Sequence, residues 1–254
     1  MVSKYQVILS VAEHTADDIR KSAGNWMRFL TTAANNYKYR FTDQLLIHAQ
    51  KPDAVACAEI ETWNRLGRWV NKGTKGIALL EDGESQYKLR HVFDVSDTNT
   101  RVGANITLWQ MQNRYEASVL ESLENSFGEI EDAATLPSAL LATAKNIVED
   151  NLPDYLSDLL SVKSASYLEE LDDLNTEVWL KSALTASVGF MLLTRCGSDA
   201  RQFFEREDFA HVFDFSTPET IAILGGAASD ISEMVLREIG ETVKILQIDR
   251  KSVV

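Results

Sequence analysis

Apolar residues recur at three- and four-residue steps over most of this chain, as they do on the buried faces of amphipathic helices. Residues 12–35 show this spacing. Within them Thr15, followed by two acids, predicts the start of a helix, and Asn36 predicts its end. The segments "FTDQLLIHAQ" and "AEIETWNRLG" predict two shorter helices. The chain therefore opens with a helical region.

The spacing changes to alternation in the next part of the chain, which predicts β-strands. The predicted strands are "RWV", "IALLE" and "YKLRHVFDV". The glycine-containing turn "NKGTKG" separates the first two strands. This order is typical of a meander of three segments, or of a hairpin with one added strand. The segment "ANITLWQM" predicts a further strand or the approach to the next helix.

From about residue 115 onward, the apolar spacing is helical throughout. Proline in the first turn predicts new helices at Pro137 and at Pro153. The long segment that follows predicts two helices with a break near Asn175. Thr217, followed by proline and glutamate, predicts the cap of the last helix. The C-terminal half is therefore predicted to contain helices and no strands.

These patterns predict an α+β domain with a small antiparallel β-sheet in residues 1–115 and an all-α helical domain in residues 116–254. The content of 45% hydrophobic and 25% charged residues is that of a globular protein. Two distant cysteines, Cys57 and Cys196, indicate a reducing, cytoplasmic location without a disulfide scaffold. The longest apolar run is shorter than the roughly 20 residues of a membrane-spanning helix. We therefore expect no membrane partner.

Charge is divided unequally between the two predicted domains. Residues 1–115 hold 15 lysines and arginines against 12 acids, a net charge of +3. Residues 116–254 hold 10 against 26, a net charge of −16. An acidic surface repels nucleic acid. A polyanion is therefore expected to bind the N-terminal domain and to avoid the C-terminal one.

The sequence contains no clear pattern of catalytic residues. None of the four histidines lies in an HExxH motif, and no two have the helical spacing of metal ligands. "GTKG" lacks the GxxxxGK[ST] pattern of a phosphate-binding loop and has strands on both sides, which favours a turn. His48 is interpreted as a half-buried helical residue, and Cys57 as a buried thiol. We therefore expect neither an enzyme nor a bound metal or cofactor.

The stretch "WNRLGRWVNKGTKG" is basic and aromatic within an acidic chain. Cations along the backbone and rings that stack on bases are the groups that bind single-stranded nucleic acid. "YKYR" repeats this combination upstream. The predicted contact residues are Tyr37, Lys38, Tyr39, Arg40, Trp63, Arg65, Arg68, Trp69, Lys72 and Lys75. The alternative is that the two tryptophans pack in the core and the lysines flank an ordinary turn.

The run from "YKYRFTDQLLIHAQ" through "WNRLGRWVNKGTKGIALLE" to "VFDVSDT" resembles the N-terminal, single-stranded-DNA-binding domain of ArdC-type antirestriction proteins. The resemblance covers residues about 20 to 110. In that family a Tyr-Arg start leads into a short helix, and a tryptophan-bearing helix, a strand and a Lys-Gly turn follow. Here Phe41-Thr42-Asp43 stands where the family has Gly-Ile-Asn. Related domains open very large proteins of conjugative elements in Firmicutes.

This resemblance implies a non-catalytic single-stranded-DNA-binding protein of a mobile genetic element, acting in conjugative transfer or antirestriction. The zinc-protease domain of ArdC proteins is not expected, because the chain has no HExxH motif. Two alternatives stay open. In one, the acidic helical domain binds a host defence protein and inhibits a restriction or CRISPR nuclease. In the other, the chain is an assembly module within a larger protein.

Overall fold

Eight α-helices are present in the computed structural model, which describes residues 3–81, 88–100, 108–130 and 134–251. They are α1 (Lys4–Arg20), α2 (Ala23–Asn35), α3 (Phe41–Gln50), α4 (Ile60–Arg65), α5 (Glu116–Phe127), α6 (Leu136–Val162), α7 (Asp173–Arg195) and α8 (Pro218–Lys251). Short 3-10 helices cover Val95–Asp97, Asn113–Tyr115, Ala200–Gln202 and Glu207–Asp214. Across these ranges, no helix combines the length and apolar character that a membrane crossing requires.

Five strands form two small antiparallel sheets in the described part of the N-terminal half. They are β1 (Cys57–Ala58), β2 (Arg68–Val70), β3 (Ile77–Glu81), β4 (Lys88–Asp94) and β5 (Thr98–Thr100). The first sheet has the order β1-β4-β3, and the second pairs β2 with β5. The predicted α+β fold, with helices after the sheet, is therefore confirmed. Half of the segment "ANITLWQM", residues 104–107, lies outside the described residues, and the other half, residues 108–111, is not in a strand.

The turn "NKGTKG" does not form the predicted hairpin. β2 pairs with β5, with Trp69 opposite Asn99, whereas β3 pairs with β4, with Leu79 opposite Arg90. The turn therefore links two different sheets, and Gly73 at φ +88° provides its left-handed backbone. The reason for the difference is that β2 finds its partner about 30 residues away, and local alternation carries no information about partner choice.

Side-chain caps decide where three of the helices begin. Ser3 caps α1 and Ser22 caps α2, each accepting a hydrogen bond of 3.2 Å from the backbone N–H three residues later. The single helix predicted for the N-terminal segment is thus two helices, and Thr15 lies inside α1. Asp172 caps α7 by accepting from Asn175 N at 2.8 Å. The prediction of two helices over residues 164–197 is wrong, because residues 164–171 form turns and only α7 follows them.

Proline lies in the first turn of two helices, α6 at Pro137 as predicted and α8, and a further proline lies inside α6. α8 begins at Pro218, where Thr217 Oγ1 accepts a hydrogen bond from Thr220 N at 3.2 Å, as predicted. In contrast, α6 runs through Pro153 without a break. The prediction of a new helix at Pro153 is wrong because the buried side chains of Leu152 and Leu159 hold the helix in the core on both sides.

The larger hydrophobic core joins the two halves of the chain. It contains Trp26 and Phe29 of α2 together with buried residues of α5, α6, α7 and α8. Trp26 Nε1 also donates a hydrogen bond of 2.9 Å to Ser187 Oγ of α7. The two predicted domains therefore share one core. The change of secondary structure and charge near residue 115 occurs within it.

A smaller core lies between α3 and the sheet. Its buried members are Ala12, Leu46, Ile47, Ala54, Ile77, Leu79 and Val92. Gln50, at the end of α3, closes part of the edge of β3: its side-chain amide donates to Ala78 O at 2.9 Å and accepts from Ala78 N at 3.0 Å. The three-stranded sheet is thereby fixed to α3, and it positions the residues predicted to contact DNA.

Candidate nucleic-acid interface

The two tryptophans of the basic stretch have opposite environments. Trp63, on α4, is only 2% exposed, and its Nε1 donates a hydrogen bond of 2.8 Å to Phe93 O of β4. It holds α4 against the sheet and cannot stack on a base, which corrects the prediction that it contacts DNA. Trp69, on β2, is 42% exposed. Of the two rings, Trp69 is therefore the one that a nucleic acid can reach.

Three of the four cations in the same stretch are exposed. Arg65 lies at the end of α4, and Lys72 and Lys75 lie in the turn that follows β2. Arg68 differs, because its Nε donates to Thr98 Oγ1 at 2.6 Å and its Nη2 donates to Thr98 O at 3.1 Å. Arg68 therefore holds β2 to β5, and the prediction that it contacts phosphate is corrected. We call Arg65, Trp69, Lys72 and Lys75 the Trp69 surface.

The tyrosines of "YKYR" are structural. Tyr37 is 5% exposed, and its hydroxyl accepts a hydrogen bond of 3.1 Å from Trp109 Nε1. Tyr39 donates to Cys57 O at 2.9 Å, and the guanidinium of Arg90 lies 5.7 Å from the centre of its ring. Burial raises the pKa of Tyr39. Neither ring is available for stacking, because both link the segment between α2 and α3 to its neighbours.

The two cations of "YKYR" are exposed, but they lie apart from the Trp69 surface. Lys38 and Arg40 line a cleft of about 460 Å³ with Leu80, Glu81 and Arg90, where β3 ends and β4 begins. Arg90 is already neutralised there by Asp43 and Glu59, at 2.5 Å and 3.6 Å. The Trp69 surface lies beyond the other end of β4, where β2 meets β5. The structure therefore does not bring the two predicted groups into one site.

Asp94 is a structural residue of this region that the sequence did not single out. Its carboxylate is buried and accepts backbone hydrogen bonds from Val55, Ala56 and Ser96 at 2.7, 2.9 and 2.9 Å. Burial opposes its ionisation, but the hydrogen bonds outweigh burial and lower the pKa of Asp94. An acid in an otherwise apolar strand, "VFDV", is the signal that indicates such an anchor. The segment that leads to β5 is held by this carboxylate.

The described residues offer little for catalysis. Burial raises the pKa of both thiols, Cys57 and Cys196, to about 12, so both stay protonated. A cleft of about 730 Å³ is lined by residues that include Arg28 and His48. Thr32 Oγ1 lies 2.8 Å from His48 Nδ1 but is buried and donates its single proton to Pro52 O at 2.6 Å. Over the described ranges, no three His, Cys, Asp or Glu side chains cluster as metal ligands do.

Comparisons of the chain with protein-family models, with curated proteins and with solved structures found no match. Function is therefore inferred from the residues and their geometry.

Proposed function

We propose that this protein binds single-stranded DNA without catalysis and that the Trp69 surface is the contact. The observation that carries the proposal is an exposed indole on a short strand, with three exposed cations on the adjoining helix end and turn. The resemblance of residues 20–110 to ArdC-type domains adds the setting, which is conjugative transfer or antirestriction by a mobile genetic element.

The chemistry of this surface fits an extended strand better than a duplex. An exposed aromatic ring can stack on any base, with a contribution of about 1–3 kcal/mol, and cations beside it bind the phosphates. The turn itself leaves room for a backbone, because a side chain at Gly73 would find nothing within 4 Å. The acidic helical half repels the same polyanion, which restricts a bound strand to the N-terminal half.

The test uses the full chain and an oligo-dT without a terminal phosphate, with tryptophan fluorescence as the signal. Three phosphate contacts predict that log K falls with log salt with a slope of about −2. Replacing Lys72 and Lys75 by Gln should reduce the slope to about −0.7, because one cation remains. Stacking of Trp69 on a base should quench its fluorescence. Trp69→Ala should weaken binding by about 1–3 kcal/mol and abolish this quenching.

Two matched control variants change one lysine and one tryptophan outside the Trp69 surface. Lys145→Gln removes an exposed lysine from the acidic half, and Trp179→Phe alters a half-buried ring that stacks on His211. Both should bind oligo-dT as the unmodified chain does. If the unmodified chain shows no binding at low salt, or if Lys145→Gln weakens binding as much as the double variant does, the proposal is wrong.

A further inference from the structure

Arg195 is a largely enclosed cation at the end of α7. Its guanidinium carbon lies 3.6 Å from the centre of the Trp109 ring and 5.9 Å from that of Tyr37. Nη2 donates a hydrogen bond of 3.0 Å to Trp109 O. Among the described residues, no carboxylate lies within ion-pair distance of this guanidinium, which sets it apart from paired arginines such as Arg90 and Arg237. Its charge is therefore balanced only by ring faces and a carbonyl.

An enclosed cation without a counterion is costly, because burial removes water and returns no opposite charge. Burial lowers the pKa of Arg195, although the guanidinium remains protonated at neutral pH. The rings hold the group in a fixed orientation, since Trp109 is itself wedged against Gly240 of α8. A fixed guanidinium with unused donors is the arrangement that binds phosphate oxygens in pairs.

A second cation lies near the Tyr37 ring. Lys38 is exposed on the segment between α2 and α3, and its ammonium lies 5.8 Å from the centre of the Tyr37 ring. Burial lowers the pKa of Lys38, and the positive charges of Lys244, Arg237 and Arg195 lower it further. Glu233, an acid that opposes them, is paired with Arg237. Cations on α7 and α8 thus act electrostatically on Lys38, whose ammonium lies near the Tyr37 ring that Arg195 also approaches.

A cleft opens beside Arg195. It has a volume of about 310 Å³, and its lining includes Asn35, Trp109, Gln110, Arg195 and Gly197. The amides of Asn35 and Gln110 are neutral hydrogen-bond donors at its walls. A side chain at Gly197 would find nothing within 4 Å, so this side of the cleft is open. We call it the Arg195 cleft.

We propose that the Arg195 cleft binds a phosphate group, with Arg195 as the two-pronged donor and Lys38 and Lys244 as the surrounding positive field. The phosphate belongs to a free nucleotide or inorganic phosphate, or to the end of a DNA strand, since all present the same oxygens. This proposal goes beyond the Trp69 surface, because the cleft is built from the ends of α2 and α7 and from residues 108–111.

Inorganic phosphate is the probe, compared with chloride at equal ionic strength. We expect phosphate to raise the melting temperature of the full chain more than chloride does, and to change the fluorescence of Trp109. Arg195→Lys keeps the charge but loses the paired hydrogen bonds, so it should weaken phosphate binding about tenfold or more. A chain that melts identically in both salts, or an Arg195→Lys variant with unchanged affinity, overturns the proposal.

A second variant keeps the test informative if Arg195→Lys does not fold. Replacing Lys38 and Lys244 by Gln changes exposed groups only and should weaken phosphate binding several-fold, whereas Lys145→Gln should not. If the Lys38 and Lys244 double variant binds phosphate as tightly as the unmodified chain does, the proposal is wrong. Competition by a 5′-phosphorylated oligo-dT, or by a mononucleotide, supports it and identifies the source of the phosphate. The unphosphorylated oligonucleotide tests the Trp69 surface separately, so either proposal can be rejected without rejecting the other.

Discussion

His48 shows how the hydrogen-bond pattern around one residue fixes its chemistry. Thr32 has a single hydroxyl proton, and at 2.6 Å from Pro52 O it donates that proton to the carbonyl. His48 Nδ1 lies 2.8 Å from Thr32 Oγ1, so it must carry a proton and donate it to that hydroxyl oxygen. Burial lowers the pKa of His48, and the nearby charge of Arg28 lowers it further. The interpretation of His48 as a half-buried helical residue agrees with its exposure.

This lowered pKa predicts a pH-dependent contribution to stability. The folded state binds a proton at His48 less readily than the unfolded state, whose value is near 6.5. The contribution is therefore complete above pH 6.5 and is lost as the pH falls through 6.5 towards the lowered pKa, with a slope of at most about 1.4 kcal/mol per pH unit. His48→Asn keeps a donor near Nδ1 without the titration. Between pH 7.5 and 5.5, the free energy of unfolding in urea should fall less for this variant than for the unmodified chain. An equal fall in both proteins would contradict the assignment.

At the residue scale, the sequence predicted the chemical character of the candidate site but not the role of each side chain. Lys72 and Lys75 are exposed as expected, because a lysine beside a glycine turn has few ways to be buried. Trp63 and Trp69 differ in ways that composition does not reveal. The indole N–H of Trp63 finds the carbonyl of Phe93, a partner 30 residues away along the chain. Such non-local partners decide which ring is buried.

At the scale of elements, α8 makes close contact with the N-terminal half through two of its glycines. A Cβ at Gly225 would lie 2.1 Å from Phe41 Cε2, and a Cβ at Gly240 would lie 2.8 Å from Trp109 Nε1. The rings therefore pack directly on the helix backbone. The segments that flank the YKYR residues and the Arg195 cleft owe their position to these two contacts.

The adjacent pair Gly225 and Gly226 allows a matched test of this packing. Gly225→Ala should destabilise the protein by about 1–3 kcal/mol, because the ring of Phe41 must move. Gly226→Ala meets nothing within 4 Å and should stabilise the helix by about 0.5–1 kcal/mol. The free energies of unfolding in urea give both values. If the two substitutions have the same effect, Phe41 does not depend on the glycine contact.

The same scale shows what local patterns can specify. Capping residues and periodicity predicted the start of α8, the end of α2 at Asn36 and the strands β2, β3 and β4. The pairing of β2 with β5 and the passage of α6 through Pro153 depend on contacts with distant elements. In the same way, helix propensity alone makes both glycines of "GG" unfavourable within α8. Only the position of Phe41 shows that Gly225 is required for packing and Gly226 is not.

At the scale of the whole molecule, charge and packing divide the chain differently. The net charge changes from +3 in residues 1–115 to −16 in residues 116–254, whereas one hydrophobic core extends across that boundary. The acidic helices are thus a structural support for the N-terminal half as well as a surface that repels polyanions. If the proposed DNA strand binds, this repulsion keeps it to the N-terminal half, while α7 and α8 supply the packing that holds that half in shape.

A shared core predicts that the two halves unfold together. Trp26 and Phe41 lose their partners on α7 and α8 if the chain is cut at residue 115, so a fragment of residues 1–115 should be largely unfolded or aggregated. For the full chain, urea transitions followed by far-UV circular dichroism and by tryptophan fluorescence should coincide. The fragment 116–254, with the N-terminal faces of α7 and α8 exposed to water, serves as the companion sample. Two separate transitions, or a fragment 1–115 that melts cooperatively on its own, would mean that the halves are independent and that the N-terminal half does not require the acidic one.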